Sequence, residues 1–252
     1  METLADNIKD STRPDKPDVA GSVLPATEKF GESGRSAWEQ RLVRLLAVAL
    51  MVWSLNACVA TIKAPPVVEN PVPIYVLDHG RHNSLVLTVG DDEALRFAFG
   101  EWRWYVDAET GLARGLSALL RKTPGALGRG QLVGPTDPHC WVDQVGSEIR
   151  LVLAYQADQD RVRQLLEELN QAFDKPLAEP LYNPRLNLEF VLDEQPYSLG
   201  QNSNHRVVEW LRRLGFEVTG SPTLGRLRPD DPQRSSSADS SACSAASHSD
   251  SS

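Results

Sequence analysis

Two short polar segments hold the side chains best suited to chemistry. Asp78-His79-Gly80-Arg81-His82-Asn83 puts two of the five histidines in one tight turn, where Gly80 permits a backbone conformation that other residues resist. An imidazole there is a candidate general base. Asn202-Ser203-Asn204-His205 stands directly ahead of a helical pattern, so the Ser203 hydroxyl falls at the positive end of the helix dipole, where a nucleophile's anionic form is stabilised. Each segment also has a plainer reading. Serine and asparagine are favoured helix N-caps, and a histidine turn can serve structural hydrogen bonds alone. Asp78, His79, His82 and His139 do not have a recognised metal-ligand spacing, so neither a metal nor another cofactor is expected. The aromatic cluster Trp102, Trp104 and Tyr105 reads as core or groove lining before it reads as a stacking platform.

A third chemistry is covalent. Arg41 and Arg44 precede an uncharged stretch from Leu45 to Ile62 centred on LLAVALMVW, the basic-then-apolar order of an export signal. Leu55-Asn56-Ala57-Cys58 closes it and resembles the bacterial lipobox, in which the cysteine receives diacylglycerol and the small residue before it admits the signal peptidase. The alternative is one signal-anchor helix, for which the apolar run is short. Either way the following domain is exported. Val59 stands where aspartate would retain a lipoprotein in the inner membrane, so a lipoprotein facing the periplasm, on the outer membrane, is expected.

These residues must be positioned by elements. Residues 1–40 form a polar leader that cannot build a core, or mark a start placed too far upstream; residues 41–58 are the signal, and residues 59–73, rich in proline and valine, read as an extended tether. The globular domain spans 74–228. Within it, Ile74–Leu77, Ser84–Val89, Arg96–Phe99 and Ile149–Tyr155 read as strands, Leu112–Lys122 as a short helix and the glycines from Gly125 to Gly134 as a loop. Asp158 caps a helix with Val162, Leu165, Leu166, Leu169 and Phe173 on one face. A last helix, from about Asn204 to Leu214, shows Val207, Trp210, Leu211 and Leu214 on one face and stops at Gly215. Residues 229–252 are serine-rich and expected to be disordered.

The 252-residue chain carries a net charge of −8 and no basic stripe, which argues against nucleic acid as a partner. Its three cysteines, Cys58, Cys140 and Cys243, build no zinc or disulfide framework. With Cys58 acylated, only Cys140 and Cys243 remain to pair.

The combination of lipobox, histidine-glycine-x-histidine turn, phenylalanine-glycine segment and asparagine-rich helix start resembles the bacterial lipoprotein family of domain of unknown function 2459, over roughly Pro73 to Val218. That family is similar to circularly permuted NlpC-type papain-like hydrolases, in which histidine precedes the nucleophile and the nucleophile begins a helix. The resemblance implies an α+β fold, a small antiparallel sheet with packed helices. It also implies His82 as base and Ser203 in the nucleophile's place; Glu101 or a nearby asparagine is then the candidate to hold the imidazole, with His205 a candidate to assist Ser203. The other polar and aromatic side chains of these segments, His79, Arg81, Asn202, Asn204, His205 and Trp102, become candidate ligand contacts.

Three segments depart from the family pattern. Arg81 and Asn83-Ser84 replace tryptophan and threonine-glycine, Glu101-Trp102-Arg103 replaces tryptophan-glycine-aspartate, and Ser203 replaces cysteine. A thiol offers a thiolate near neutral pH, whereas a serine hydroxyl needs a base during attack. The expectation is therefore a catalytically degenerate papain-like cleft that binds a cell-wall (peptidoglycan) peptide or an acyl ligand. The rivals are a serine-variant amidase or acyl hydrolase and a structural lipoprotein that tethers a partner.

Overall fold

A computed structural model describes residues 37–56, 59–105, 122–223 and 225–237. Contacts divide the chain into a unit ending at Leu46 and one running from Ala47. Helix α1, Ala37–Asn56, contains Arg41, Arg44 and the apolar run. Among the described residues no helix is long and apolar enough to cross a membrane. Cys58, residues 1–36, residues 112–121 of the expected short helix and residues 238–252 of the tail lie outside the described residues.

The domain is α+β. Its main sheet is antiparallel and larger than expected, with eight strands in the order β11-β6-β2-β3-β4-β5-β8-β7. These are β2 (Pro71–Asp78), β3 (Asn83–Gly90), β4 (Glu93–Glu101), β5 (Thr123–Val133), β6 (Leu151–Asp158), β7 (Leu181–Asn183), β8 (Leu188–Tyr197) and β11 (Ser235–Ser236). Alternate residues of β2 serve opposite faces: Ile74 and Val76 join one apolar cluster, Tyr75 and Leu77 another. That explains why the strand reads as a continuous apolar run, since a sheet buried on both faces has no polar side to show.

Two amphipathic helices complete the larger cluster. Helix α4 (Gln159–Asp174) buries Val162, Leu165, Leu169 and Phe173, with Asp158 accepting from the backbone N–H groups of Asp160 and Arg161 as its cap. Helix α5 (Ser203–Arg213) buries Val207, Val208, Trp210 and Leu211 and is followed by Gly215 at a φ of +91°, the left-handed stop expected there. The opposite face is covered by the 3-10 turn Pro138–Trp141 and short helix α3 (Val142–Val145), through Trp141 and Val145. A short helix α2 (Trp102–Tyr105) follows β4 directly.

Three expectations are corrected. Residues 59–63 are not tether but strand β1 (Val59–Lys63), which pairs parallel with β10 (Arg226–Pro229) and antiparallel with β9 (Glu217–Gly220). Ala60 and Ile62 of that strand are fully buried, so the apolar run read as reaching Ile62 serves two elements. Second, the glycine-rich Gly125–Gly134 segment is not a loop but strand β5 up to Val133, between β4 and β8. Its glycines admit the facing strand: a Cβ at Gly128 would meet the Phe190 ring at 2.6 Å. Third, order does not end at Pro229. Asp231 caps the 3-10 turn Pro232–Arg234, and Ser235 and Ser236 pair with β6. The domain thus reaches from Val59 at least to Ser236.

Candidate functional site

The β2–β3 turn and the start of α5 meet. His82 Nδ1 lies 3.0 Å from Ser203 Oγ across 121 positions of sequence. The turn is shaped by Gly80, at a φ of +92°, whose N–H donates to the Asp78 carboxylate. Ser203 is not the helix cap. That position belongs to Asn202, whose Oδ1 accepts from the backbone N–H groups of Asn204 and His205, leaving the Ser203 hydroxyl in the first turn and turned toward the imidazole.

An asparagine lattice fixes the two pieces. Asn204 Oδ1 accepts from Asn83 Nδ2 at 2.8 Å, and Asn204 Nδ2 donates to the Arg81 carbonyl at 3.0 Å. Asn83 Nδ2 also donates to the Gly225 carbonyl at 2.9 Å, while Asn83 Oδ1 is buried without a partner. Both asparagines are 1% exposed, so these bonds form away from water, where a lost partner is expensive. Asn83 was not among the sequence-derived site residues. Its position next to His82, at the head of an apolar strand, was the available signal, because a polar residue buried there needs a polar partner.

Electrostatics favour a neutral His82. Burial first, and the neighbouring Arg81 guanidinium second, push its pKa below the ordinary histidine value. A neutral ring offers one lone pair. With that lone pair on Nδ1, the Ser203 hydroxyl donates its one proton to it; Asn204 Oδ1, at 3.4 Å, is the alternative acceptor for the same proton. The dyad therefore contains an unprotonated imidazole in contact with a hydroxyl at the first turn of a helix.

The other sequence-derived residues have different duties. His79 is not a second base: Nδ1 donates to the Glu148 carbonyl at 2.8 Å, so Nε2 accepts from Ser84 Oγ at 2.9 Å. Burial above all, opposed by that carbonyl, takes its pKa down to about 4. Glu101 does not orient His82. Its carboxylate accepts the backbone N–H of Trp104 at 2.7 Å, serving the start of α2. Among the described residues nothing hydrogen-bonds His82 Nε2; the ring instead meets Tyr105 edge-on, with centroids 6.1 Å apart. Trp102 packs, partly buried, against Ala126, Leu188 and Phe190 as lining, and Trp104 is 40% exposed. His205 Nδ1 donates to Asn202 Oδ1 at 2.9 Å, which ties it to the cap rather than to Ser203. Arg81 presents an exposed side chain beside the base.

Asp78, His79, His82 and His139 do not form a ligand set, and among the described residues no group of three or more His, Cys, Asp or Glu side chains could hold a metal ion. Compared with protein-family models, curated proteins and solved structures, the chain matches none.

Proposed function

We propose that this protein is an exported envelope lipoprotein, anchored through Cys58, that carries out slow acyl transfer at Ser203, as a serine-variant amidase or acyl hydrolase. One observation carries the reading: the 3.0 Å contact between His82 Nδ1 and Ser203 Oγ, with the imidazole held in its neutral form. Nucleophile and base within hydrogen-bond reach are the minimum such chemistry requires. The order along the chain, base before nucleophile and nucleophile at a helix start, also supports the likeness to permuted NlpC-type hydrolases proposed from the sequence.

The step follows from the geometry. Ser203 Oγ attacks a carbonyl carbon while its proton passes to His82 Nδ1, and the carbonyl π pair moves onto oxygen. Collapse re-forms the carbonyl and expels the leaving group, which takes the proton back from the imidazolium. Water then repeats the sequence on the acyl-serine and releases the acid. Slowness is part of the proposal. Among the described residues no carboxylate meets His82 Nε2, so none of them enforces the required tautomer, and loss of that role in serine hydrolases costs about 10⁴-fold in rate.

The second reading, a cleft that binds a cell-wall peptide or acyl ligand without turnover, is favoured by the engagement of Glu101 at Trp104. A fluorophosphonate probe separates the two. The acyl-transfer reading expects a stable adduct that maps to Ser203 and vanishes in Ser203→Ala; an unlabelled but folded protein leaves the binding reading.

A further inference from the structure

We propose that Arg81 makes the Ser203–His82 site selective for acyl groups that carry a carboxylate near the reacting carbonyl. This rests on the acyl-transfer reading and names the class of group transferred. Three observations on this residue converge.

First, its backbone is fixed to the dyad. Arg81 precedes the base, and its carbonyl accepts from Nδ2 of Asn204, the residue after the nucleophile, at 3.0 Å. Gly225 closes on it from the other side, where even a Cβ would meet the Arg81 carbonyl oxygen at 2.8 Å. The guanidinium therefore starts from a defined point beside the reacting atoms.

Second, its charge is uncompensated. Among the described residues Arg81 makes no ion pair and its side chain no hydrogen bond, unlike Arg150 at the same turn. Arg150, the other guanidinium at this turn, lies over Gly80 and faces Glu148 at 3.7 Å. The Asp78 carboxylate is occupied by the Gly80 N–H and faces Arg150. An arginine fork left open offers the donor geometry that a carboxylate accepts two-pronged.

Third, the fork is near enough to matter electrostatically, since it helps hold the His82 imidazole unprotonated. On a chain of net charge −8, a cation beside the dyad that has no ion-pair partner among the described residues is a local attractor against a repelling background. A neutral substrate would draw no advantage from it.

The experiment compares two fluorophosphonates with the same short alkyl chain, one ending in a carboxylate and one in a carboxamide, on the full-length protein. It is run at about pH 8, where the histidine is neutral with or without Arg81. Wild type should be labelled at Ser203 about tenfold faster by the anionic probe at low salt, and added salt should shrink the ratio. In Arg81→Gln the ratio should fall to about one, and Arg81→Lys should restore part of it. A ratio near one in wild type, or one that survives in Arg81→Gln, overturns the proposal while leaving acyl transfer standing. If neither probe labels Ser203, acyl transfer fails, and titration of the unmodified protein with glutarate and with glutaramide, followed by NMR at Arg81 and His82, decides the recognition question. Shifts with glutarate alone, lost in Arg81→Gln, support carboxylate recognition; shifts with neither, or equally with both, overturn it.

Discussion

At the scale of single residues, two histidines three positions apart do different work because their nitrogens are differently occupied. His79 spends both on Glu148 and Ser84; His82 spends one on Ser203. Both are held below the ordinary histidine value by burial, so each predicts a pH dependence. For His82 the readout is reactivity. Protonation removes the lone pair on Nδ1, so labelling of Ser203 should rise with pH through a midpoint below about 6.5 and be flat above it. A midpoint above that value contradicts the assignment. For His79 the readout is stability. Its folded pKa of about 4 lies below the unfolded value of about 6.5, so the folded state binds fewer protons between them. Stability is full above the unfolded value and is lost as pH falls toward the folded one, by something on the order of 3 kcal/mol. Denaturant midpoints across this range check it, and His79→Gln should flatten the acid slope.

At the scale of elements, the site depends on one lattice joining β3 to α5. Asn204→Ala would leave one of the two Asn83 Nδ2 hydrogens and the Arg81 carbonyl without their partner, while Asn83 Nδ2 keeps its bond to the Gly225 carbonyl, and an unmet buried group costs about 1–3 kcal/mol. A double-mutant cycle of Asn83→Ala with Asn204→Ala should show coupling, whereas additive losses would mean the bond contributes nothing. Strand β1 makes a second element-level prediction. Ile62 is fully buried, so Ile62→Ala should destabilise the domain by about 2–5 kcal/mol in chemical unfolding, far beyond what a free tether residue would show. These two cases also mark what the sequence could and could not tell. Helices α4 and α5 were legible because their apolar residues recur at helical spacing and their ends carry Asp158 and Gly215. Strand β1 was hidden by the proline- and valine-rich stretch that follows it, and β5 by glycines that read as loop but make room for Phe190 and β8. The pairing of His82 with Ser203 was anticipated only through the resemblance to permuted NlpC-type hydrolases, since nothing local in either segment points to the other. The duty of Glu101 was not, because a carboxylate just ahead of a short helix finds that helix's own N–H groups before a distant imidazole.

At the scale of the whole molecule, the proposed anchor residue Cys58 directly precedes the domain in sequence. If Cys58 carries lipid, the next residue already belongs to β1, so the domain is held at the membrane surface with no spacer. Acylation has a further chemical consequence. Cys140 is disulfide-bonded to a partner outside the described residues, and lipid on Cys58 would leave Cys243 for that role among the three cysteines. Cys243→Ser should then free one thiol on Cys140 while globomycin-sensitive processing at Cys58 persists; loss of lipidation with a Cys58–Cys140 bridge would refute the anchor. The larger claim is that folding delivers an imidazole to a hydroxyl 121 positions away and thereby makes that hydroxyl reactive. Its most direct measurement is the rate at which a fluorophosphonate modifies Ser203 in wild type and in folded His82→Ala, read by intact mass. Modification should slow by about 10²-fold or more without the imidazole. Equal rates in the two proteins, or no modification in either, would contradict it.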